Sequence, residues 1–172
     1  MQEFWVFGYG SLMWRPGFAH EDKTPALLHG MSRRLCVYSY VHRGTEQAPG
    51  LVLGLDRGGA CHGVAFRVRP RDWDEVVAYL RAREQVTNVY VEARRQITLR
   101  GHAPRKVEAL TYHVDRTHQQ YAGVLPVEEQ RAIVRRGVGQ SGPNPEYILN
   151  TLAHLREMGI RDGNLEKVAA GL

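Results

Sequence analysis

The sequence predicts an α+β fold in which about six short, mostly antiparallel strands come first and most of the helices gather at the end. Three observations carry this. Between Phe4 and Val114 most of the chain falls into β-branched and aromatic runs bounded by glycine and proline turns, as strands do. One helical stripe interrupts them after Pro70, and from Pro126 onward the apolar spacing is helical. With 172 residues, 43% of them apolar and 24% charged, the chain suits a single domain over residues 1–172 with a core that needs no metal or disulfide staple.

The first strand starts at Phe4 and runs into residues 7–14, Phe-Gly-Tyr-Gly-Ser-Leu-Met-Trp, a tight loop. Gly8 and Gly10 allow positive φ and close backbone approach, so Tyr9, Gly10 and Ser11 can turn their amides toward a small acidic or carbonyl-bearing ligand. The same glycines would also serve a plain turn or bulge. Met13 stands where a dinucleotide fingerprint needs its third glycine, and Gly-x-Ser-x-Gly is not met, which leaves Ser11 as a hydrogen-bonding residue rather than a nucleophile.

After Arg15-Pro-Gly-Phe18 the chain reads as a loop to Gly30, and residues 33–40 as an interior strand with apolar and aromatic residues on both faces. Residues 42–50 are turn chemistry. Residues 51–55 and 61–68 predict a hairpin around Asp56-Arg-Gly-Gly59. A helix follows to about Glu84, with Asp72 as N-cap and Glu75 closing a capping box. Residues 88–99 and 105–114 are the last two strands. Residues 126–136 form a helix, and the next is marked by Asn144 as N-cap, Pro145 at its first position and Gly159 past its end. Ile148, Leu152 and Leu155 give that helix its buried stripe, and a short helix at 162–170 closes the chain.

Composition excludes several function classes. The excess of 23 Lys and Arg over 18 Asp and Glu gives +5, but the cations are scattered in pairs such as Arg33-Arg34, Arg94-Arg95 and Arg135-Arg136. A nucleic-acid face needs clustered charge with interleaved aromatics, so the balance favours small anionic ligands. No apolar run approaches the roughly 20 residues that span a bilayer, and no basic leader precedes an apolar one, so a cytoplasmic setting is expected. Cys36 and Cys61 lie in strand-like patterns as packing thiols. The eight histidines form no metal-ligating spacing, and neither metal nor cofactor is expected. Cys61 and His62 are adjacent on a strand and point to opposite faces, which argues against a Cys–His pair. No sequence feature marks a Ser-His-Asp triad.

Glu84 is the sharpest candidate. Trp73, Val77, Leu80 and Glu84 are spaced four, three and four apart, on one side of the helix, and that face is apolar until it reaches Glu84. Burial there disfavours the charged carboxylate and raises its pKa, the requirement for a general base near neutral pH. The alternative is a surface carboxylate paired with Arg81 or Arg83.

Tyr9-Gly-Ser-Leu12 after a first strand, Arg83-Glu84 ending a mid-chain helix, and Ser141-Gly-Pro-Asn-Pro-Glu-Tyr147 opening a late one together resemble the ChaC-like family of glutathione-specific γ-glutamylcyclotransferases. The likeness extends to His42-Arg-Gly-Thr45, Pro49-Gly-Leu-Val-Leu-Gly-Leu55, Gln120-Tyr-Ala-Gly123 and Asn150-Thr-Leu-Ala-His-Leu-Arg156, nearly the whole chain. Met13 stands where a branched aliphatic is common in such proteins and preserves its bulk. The resemblance implies a small closed or nearly closed barrel and lyase-type cyclisation of glutathione without a cofactor. It also implies that residues Gly8, Tyr9, Gly10, Ser11, Leu12 and Met13 hold the γ-glutamyl group, with Glu84 as the acid/base residue. Arg43 and Tyr147 are secondary candidates for lining the pocket, against solvation and packing as their ordinary roles. Relatives that cyclise other γ-glutamyl compounds, or that bind without turnover, are the alternatives.

Overall fold

Alternating β-branched and aromatic residues form strands in the computed structural model, which describes residues 2–85 and 88–172. Five strands close into one barrel: β1 (Phe4–Gly8), β2 (Asp22–Ser39), β3 (Gly50–Val68), β4 (Tyr90–Leu99) and β5 (Arg105–Val114), in the order β1-β3-β2-β4-β5. β1 runs antiparallel to β3 from Phe4↔Val68 to Gly8↔Val64 and meets β5 in parallel at Val6↔Leu110. β4 lies antiparallel to both β2 and β5. The barrel is therefore mixed and mostly antiparallel, with ring closure removing free edges.

Two stretches differ from the sequence expectation. The hairpin predicted around residues 56–59 is one continuous strand, with Gly58 and Gly59 at φ 98° and 74°. Two left-handed glycines inside a strand bend it without reversing it, so two of the six predicted strands are one. Residues 22–30, predicted as loop, belong to β2. Pro25 brings no N–H to that strand, but its carbonyl accepts the Arg100 N–H at 2.8 Å. A further two-residue ladder pairs β6 (Val138–Gly139) with β7 (Gly142–Pro143).

The chain packs as two compact units, the first comprising the chain up to Arg33 together with Leu55–Val114. Its core gathers Val6, Leu12, Val68, Val76, Leu80, Leu110 and Tyr112. α1 (Trp73–Glu84) lays Val76 and Leu80 into it, and Trp73 stacks on Phe4 at 4.8 Å. Asp72 precedes α1 as predicted, but its carboxylate takes Arg69 at 3.1 Å instead of a helix amide, so the capping box does not form.

The second unit, Arg34–Gly54 with Asp115–Leu172, is mainly helical. α2 (Val127–Arg136), α3 (Asn144–Glu157) and α4 (Gly163–Ala169) bury Ile133, Val134, Ile148, Leu152, Leu155, Leu165 and Val168. Gly159 at φ 71° follows α3, and Asp162 caps α4 by accepting the Leu165 N–H at 3.0 Å. Asn144 is not the cap predicted for α3, a position Pro143 takes. Its fully buried amide instead accepts the Leu51 N–H at 2.8 Å and donates to the Leu51 carbonyl at 2.9 Å, in place of a neighbouring strand. Among the described residues no helix is long and apolar enough to cross a membrane.

Asn144→Ala strands both Leu51 groups. At about 1–3 kcal/mol for each buried unpaired group, the loss should be about 2–6 kcal/mol, read as a fall of roughly 4–24 °C in melting midpoint for a chain of this size. A fall of under about 2 °C in thermal melts would show that water replaces the clamp.

Candidate functional site

The β1–β3 ladder stops at Gly8. Beyond it the chain makes one 3₁₀ turn, Ser11–Met13, in which the Gly10 carbonyl accepts the Met13 N–H at 2.9 Å and the Ser11 carbonyl accepts the Arg15 N–H at 2.7 Å. Leu12 and Met13 are buried and pin the turn, while Ser11 is exposed. The N–H groups of Gly10, Ser11 and Leu12 meet no acceptor among the described residues, and consecutive unused amides suit a small anion or a carbonyl oxygen. The two glycines do not use the positive φ expected of them, and Gly10 sits at φ −130°. A Cβ on Gly8 would lie 3.1 Å from the Leu12 Cβ, so Gly8 serves close packing, whereas a Cβ on Gly10 would meet nothing within 4 Å.

Two arginines hold this loop. Arg33 of β2 donates from Nε to the Tyr9 carbonyl at 2.6 Å and from Nη2 to the His62 carbonyl at 2.7 Å. Arg83, in the last turn of α1, donates from Nη2 to the Ser11 hydroxyl at 2.9 Å. Its Nη1 reaches the Arg15 and Pro16 carbonyls at 2.7 and 3.1 Å and the Tyr79 hydroxyl at 3.1 Å. The sequence marks Arg33 only as half of an arginine pair at the start of a strand, and nothing local to it points at Tyr9.

The same end of α1 carries Glu84. Val76 and Leu80, at helical steps before it, are 3% and 0% exposed, and the Glu84 side chain is 18% exposed. Trp73 and Val77 pack partly buried on the same cluster. Burial pushes the Glu84 carboxyl above the ordinary carboxylate range, and Arg83, its Nε 3.8 Å from Oε1, pulls it back by less. Arg81, the other arginine that could neutralise it, pairs instead with both Glu92 oxygens at 3.0 Å each. Among the described residues no hydrogen bond reaches the Glu84 carboxylate. Such a group holds its proton to a higher pH than an exposed carboxyl does.

Arg43 and Tyr147 come together in the second unit. The Tyr147 hydroxyl accepts the Leu53 N–H at 3.0 Å. The Arg43 guanidinium lies 5.6 Å from the Tyr147 ring centre and donates to the Pro143 carbonyl at 3.1 Å. A groove of about 520 Å³ along α1 is lined by Trp73, Val77, Arg81, Glu92, Arg94 and Leu110 among others, and by none of the predicted site residues. Among the described residues no group of three or more His, Cys, Asp or Glu side chains is placed to hold a metal ion.

The model of the family described as ChaC-like protein matches residues 4–171. The chain is 33% identical over 171 residues to glutathione-specific γ-glutamylcyclotransferase 1 of Mus musculus, covering 97% of this chain and 77% of that protein. It is 30% identical to the glutathione-specific γ-glutamylcyclotransferase of Escherichia coli K12, covering 94% and 69%. A crystal structure of a yeast γ-glutamyl cyclotransferase specific to glutathione superposes with a TM-score of 0.85 at 24% identity, covering 98% of this chain and 97% of that one. The fold is therefore shared with that structure.

Burial of Glu84 fixes the sign of a stability test. Unfolded, the carboxyl ionises near about 4.3, and folded it ionises higher. Between the two values the folded state holds a proton that the unfolded chain has lost. The stability this group contributes is thus full below the unfolded pKa and gone above the folded one. Glu84→Gln cannot ionise, so it should melt above the parent at about pH 8 and show its smallest advantage at about pH 4. The same difference at both pH values would mean that Glu84 is not desolvated.

Proposed function

We propose a reaction for this chain on one premise: it belongs to the ChaC-like protein family. We infer that it is a γ-glutamylcyclotransferase acting on glutathione, releasing 5-oxoproline and cysteinylglycine. The observation that carries the mechanism is Glu84, a mostly buried carboxylate at the end of α1 whose neighbour Arg83 is bonded to the amide-bearing loop.

Cyclisation needs no enzyme nucleophile, because the substrate carries its own. The α-amine of the γ-glutamyl residue lies within reach of its γ-carbonyl, and a folded, fixed substrate turns their meeting into an intramolecular step. Glu84 takes a proton from the α-ammonium, the freed amine attacks the γ-carbonyl carbon, and the five-membered lactam forms. The bond from that carbon to the cysteinyl nitrogen breaks as Glu84 returns its proton to that nitrogen, and the second proton of the ring nitrogen follows by the same carboxylate, leaving a neutral lactam and a protonated cysteinyl amine. The amides of Gly10, Ser11 and Leu12 are suited to the α-carboxylate or to the oxyanion that develops on the γ-carbonyl. A cytosolic setting suits glutathione, a thiol that reducing compartments keep reduced.

Incubation with glutathione followed by mass spectrometry should show 5-oxoproline and cysteinylglycine in equal amounts and no free glutamate. N-acetyl-glutathione, which lacks the attacking amine but keeps the γ-amide, should be inert. Glutamate appearing in step with cysteinylglycine would replace cyclisation by hydrolysis. Glu84→Gln should lower kcat by about 10²–10⁴-fold while glutathione still binds. A near-parental rate would remove Glu84 from the chemistry.

Gly10→Val tests the loop. A Cβ there meets nothing within 4 Å, but φ −130°, ψ −132° is a backbone conformation that β-branched residues disfavour, so a thermal melt first establishes that the variant is folded. Affinity for glutathione, titrated calorimetrically on the Glu84→Gln background, should fall by at least about tenfold, or about 1.4 kcal/mol. Unchanged affinity would place the substrate elsewhere.

A further inference from the structure

We propose that Arg33 and Arg83 form a two-point clamp that sets the direction of the glycine-loop amides, with Arg83 tying the loop to the helix end that carries Glu84. Both act through other groups and are positioning residues. The inference rests on the cyclotransferase reading of Glu84 and the loop.

At the strand end, the β1–β3 ladder finishes at Gly8↔Val64, so the Tyr9 and His62 carbonyls lie just past the last paired residues. Arg33 spans both, and Arg100 Nη1 lies 3.1 Å from His62 Nδ1 beside them. A trans peptide is planar, with its C=O and the following N–H on opposite sides, and among the described residues no peptide is cis. Fixing the Tyr9 oxygen on Arg33 therefore aims the Gly10 N–H away from it. A glycine leaves such a peptide free to flip, and the guanidinium opposes that flip.

At the far end, Arg83 places four hydrogen bonds, on Ser11, Arg15, Pro16 and Tyr79. A rigid guanidinium fork makes these together, and a lysine ammonium on a flexible stem does not reproduce them. Its Nε stays 3.8 Å from Glu84 Oε1, near enough for charge to be felt without a hydrogen bond. Among the described residues, the charged and titratable groups felt at Glu84 are Arg83 on its own helix and Tyr112 on β5. Burial and the Glu92 carboxylate hold the Tyr112 phenol protonated, and Arg81 pairs with Glu92. Removing the Arg83 charge therefore raises the pH at which Glu84 ionises, and removing Arg33 does not.

That difference separates a clamp from mere bracing. kcat/KM for glutathione is measured from about pH 5 to about pH 9 for Arg33→Met, Arg83→Met, Arg33→Lys and Arg83→Lys, with Glu84→Gln in parallel. Both methionine variants should lose at least about tenfold in kcat/KM, the scale of one misdirected donor or more. The acid limb should move to higher pH in Arg83→Met alone, and Arg83→Lys should restore the limb while keeping the loss.

A methionine variant within about twofold of the parent overturns the clamp, since one lost donor should cost far more. So does an acid limb that moves with Arg33→Met or stays put in Arg83→Met. Should a methionine variant fail to fold by circular dichroism, the lysine variants decide: reduced kcat/KM with a parental limb supports the clamp, and parental kcat/KM overturns it. An active Glu84→Gln would instead remove the base assignment, and the loop half of the clamp would still be judged by kcat/KM.

Discussion

An unanswered carboxylate is the constraint on which the site depends. Two glutamates stand in the first unit under opposite conditions. Glu92 receives both arms of Arg81 and the Tyr112 hydroxyl, and these hold its carboxyl below the ordinary range. Glu84 is buried without such donors and is driven the other way. Desolvation and donated hydrogen bonds are the two forces that separate acid from base roles. Arg83 could have cancelled the difference, but its donors go to the loop. The residue that leaves the Glu84 carboxylate without a hydrogen bond is thus the one bonded to the glycine loop.

That arrangement also explains why α1 carries its apolar face so far. Val76 and Leu80 pack on Leu12, Leu110 and Tyr112, so the turn that follows β1 and the helix that carries Glu84 share one core. Burying Leu12 and Met13 of a three-residue turn leaves the neighbouring glycine and serine on the accessible side, because adjacent residues in so tight a turn cannot all face inward.

Much of this was legible in the sequence, for reasons that differ by residue. The partial burial of Glu84 was legible because helical spacing is a strong periodic signal and a carboxylate ending an apolar stripe is rare enough to stand out. The stripe Ile148, Leu152, Leu155 was read correctly for the same reason. The tight turn after β1 was legible in composition, but the work of its glycines was not, since close packing of Gly8 on Leu12 is a contact rather than a pattern. Residues 56–59 carry every local mark of a turn, and barrel closure overrode them into a bend. Asn144 has the residue type and place of an N-cap, and a distant backbone, Leu51, claimed its amide. Arg33 was missed because its partner, Tyr9, lies far off in sequence. Local propensity reports what a residue can do, and tertiary partners decide which of its options is used.

The parallel contact Val6↔Leu110 has a consequence for how the chain comes to be folded. A ribosome delivers β1 well before its parallel neighbour, which leaves the exit tunnel only after β2, β3, α1 and β4 have been made. Until then Phe-Trp-Val-Phe is an apolar strand with an open edge, the kind of segment that chaperones bind and that aggregates when left alone. Ring closure depends on contacts far apart in sequence, which slows folding. A nascent chain stalled before β5 would already hold the glycine loop and Glu84 in sequence, and would lack the strand that completes their scaffold.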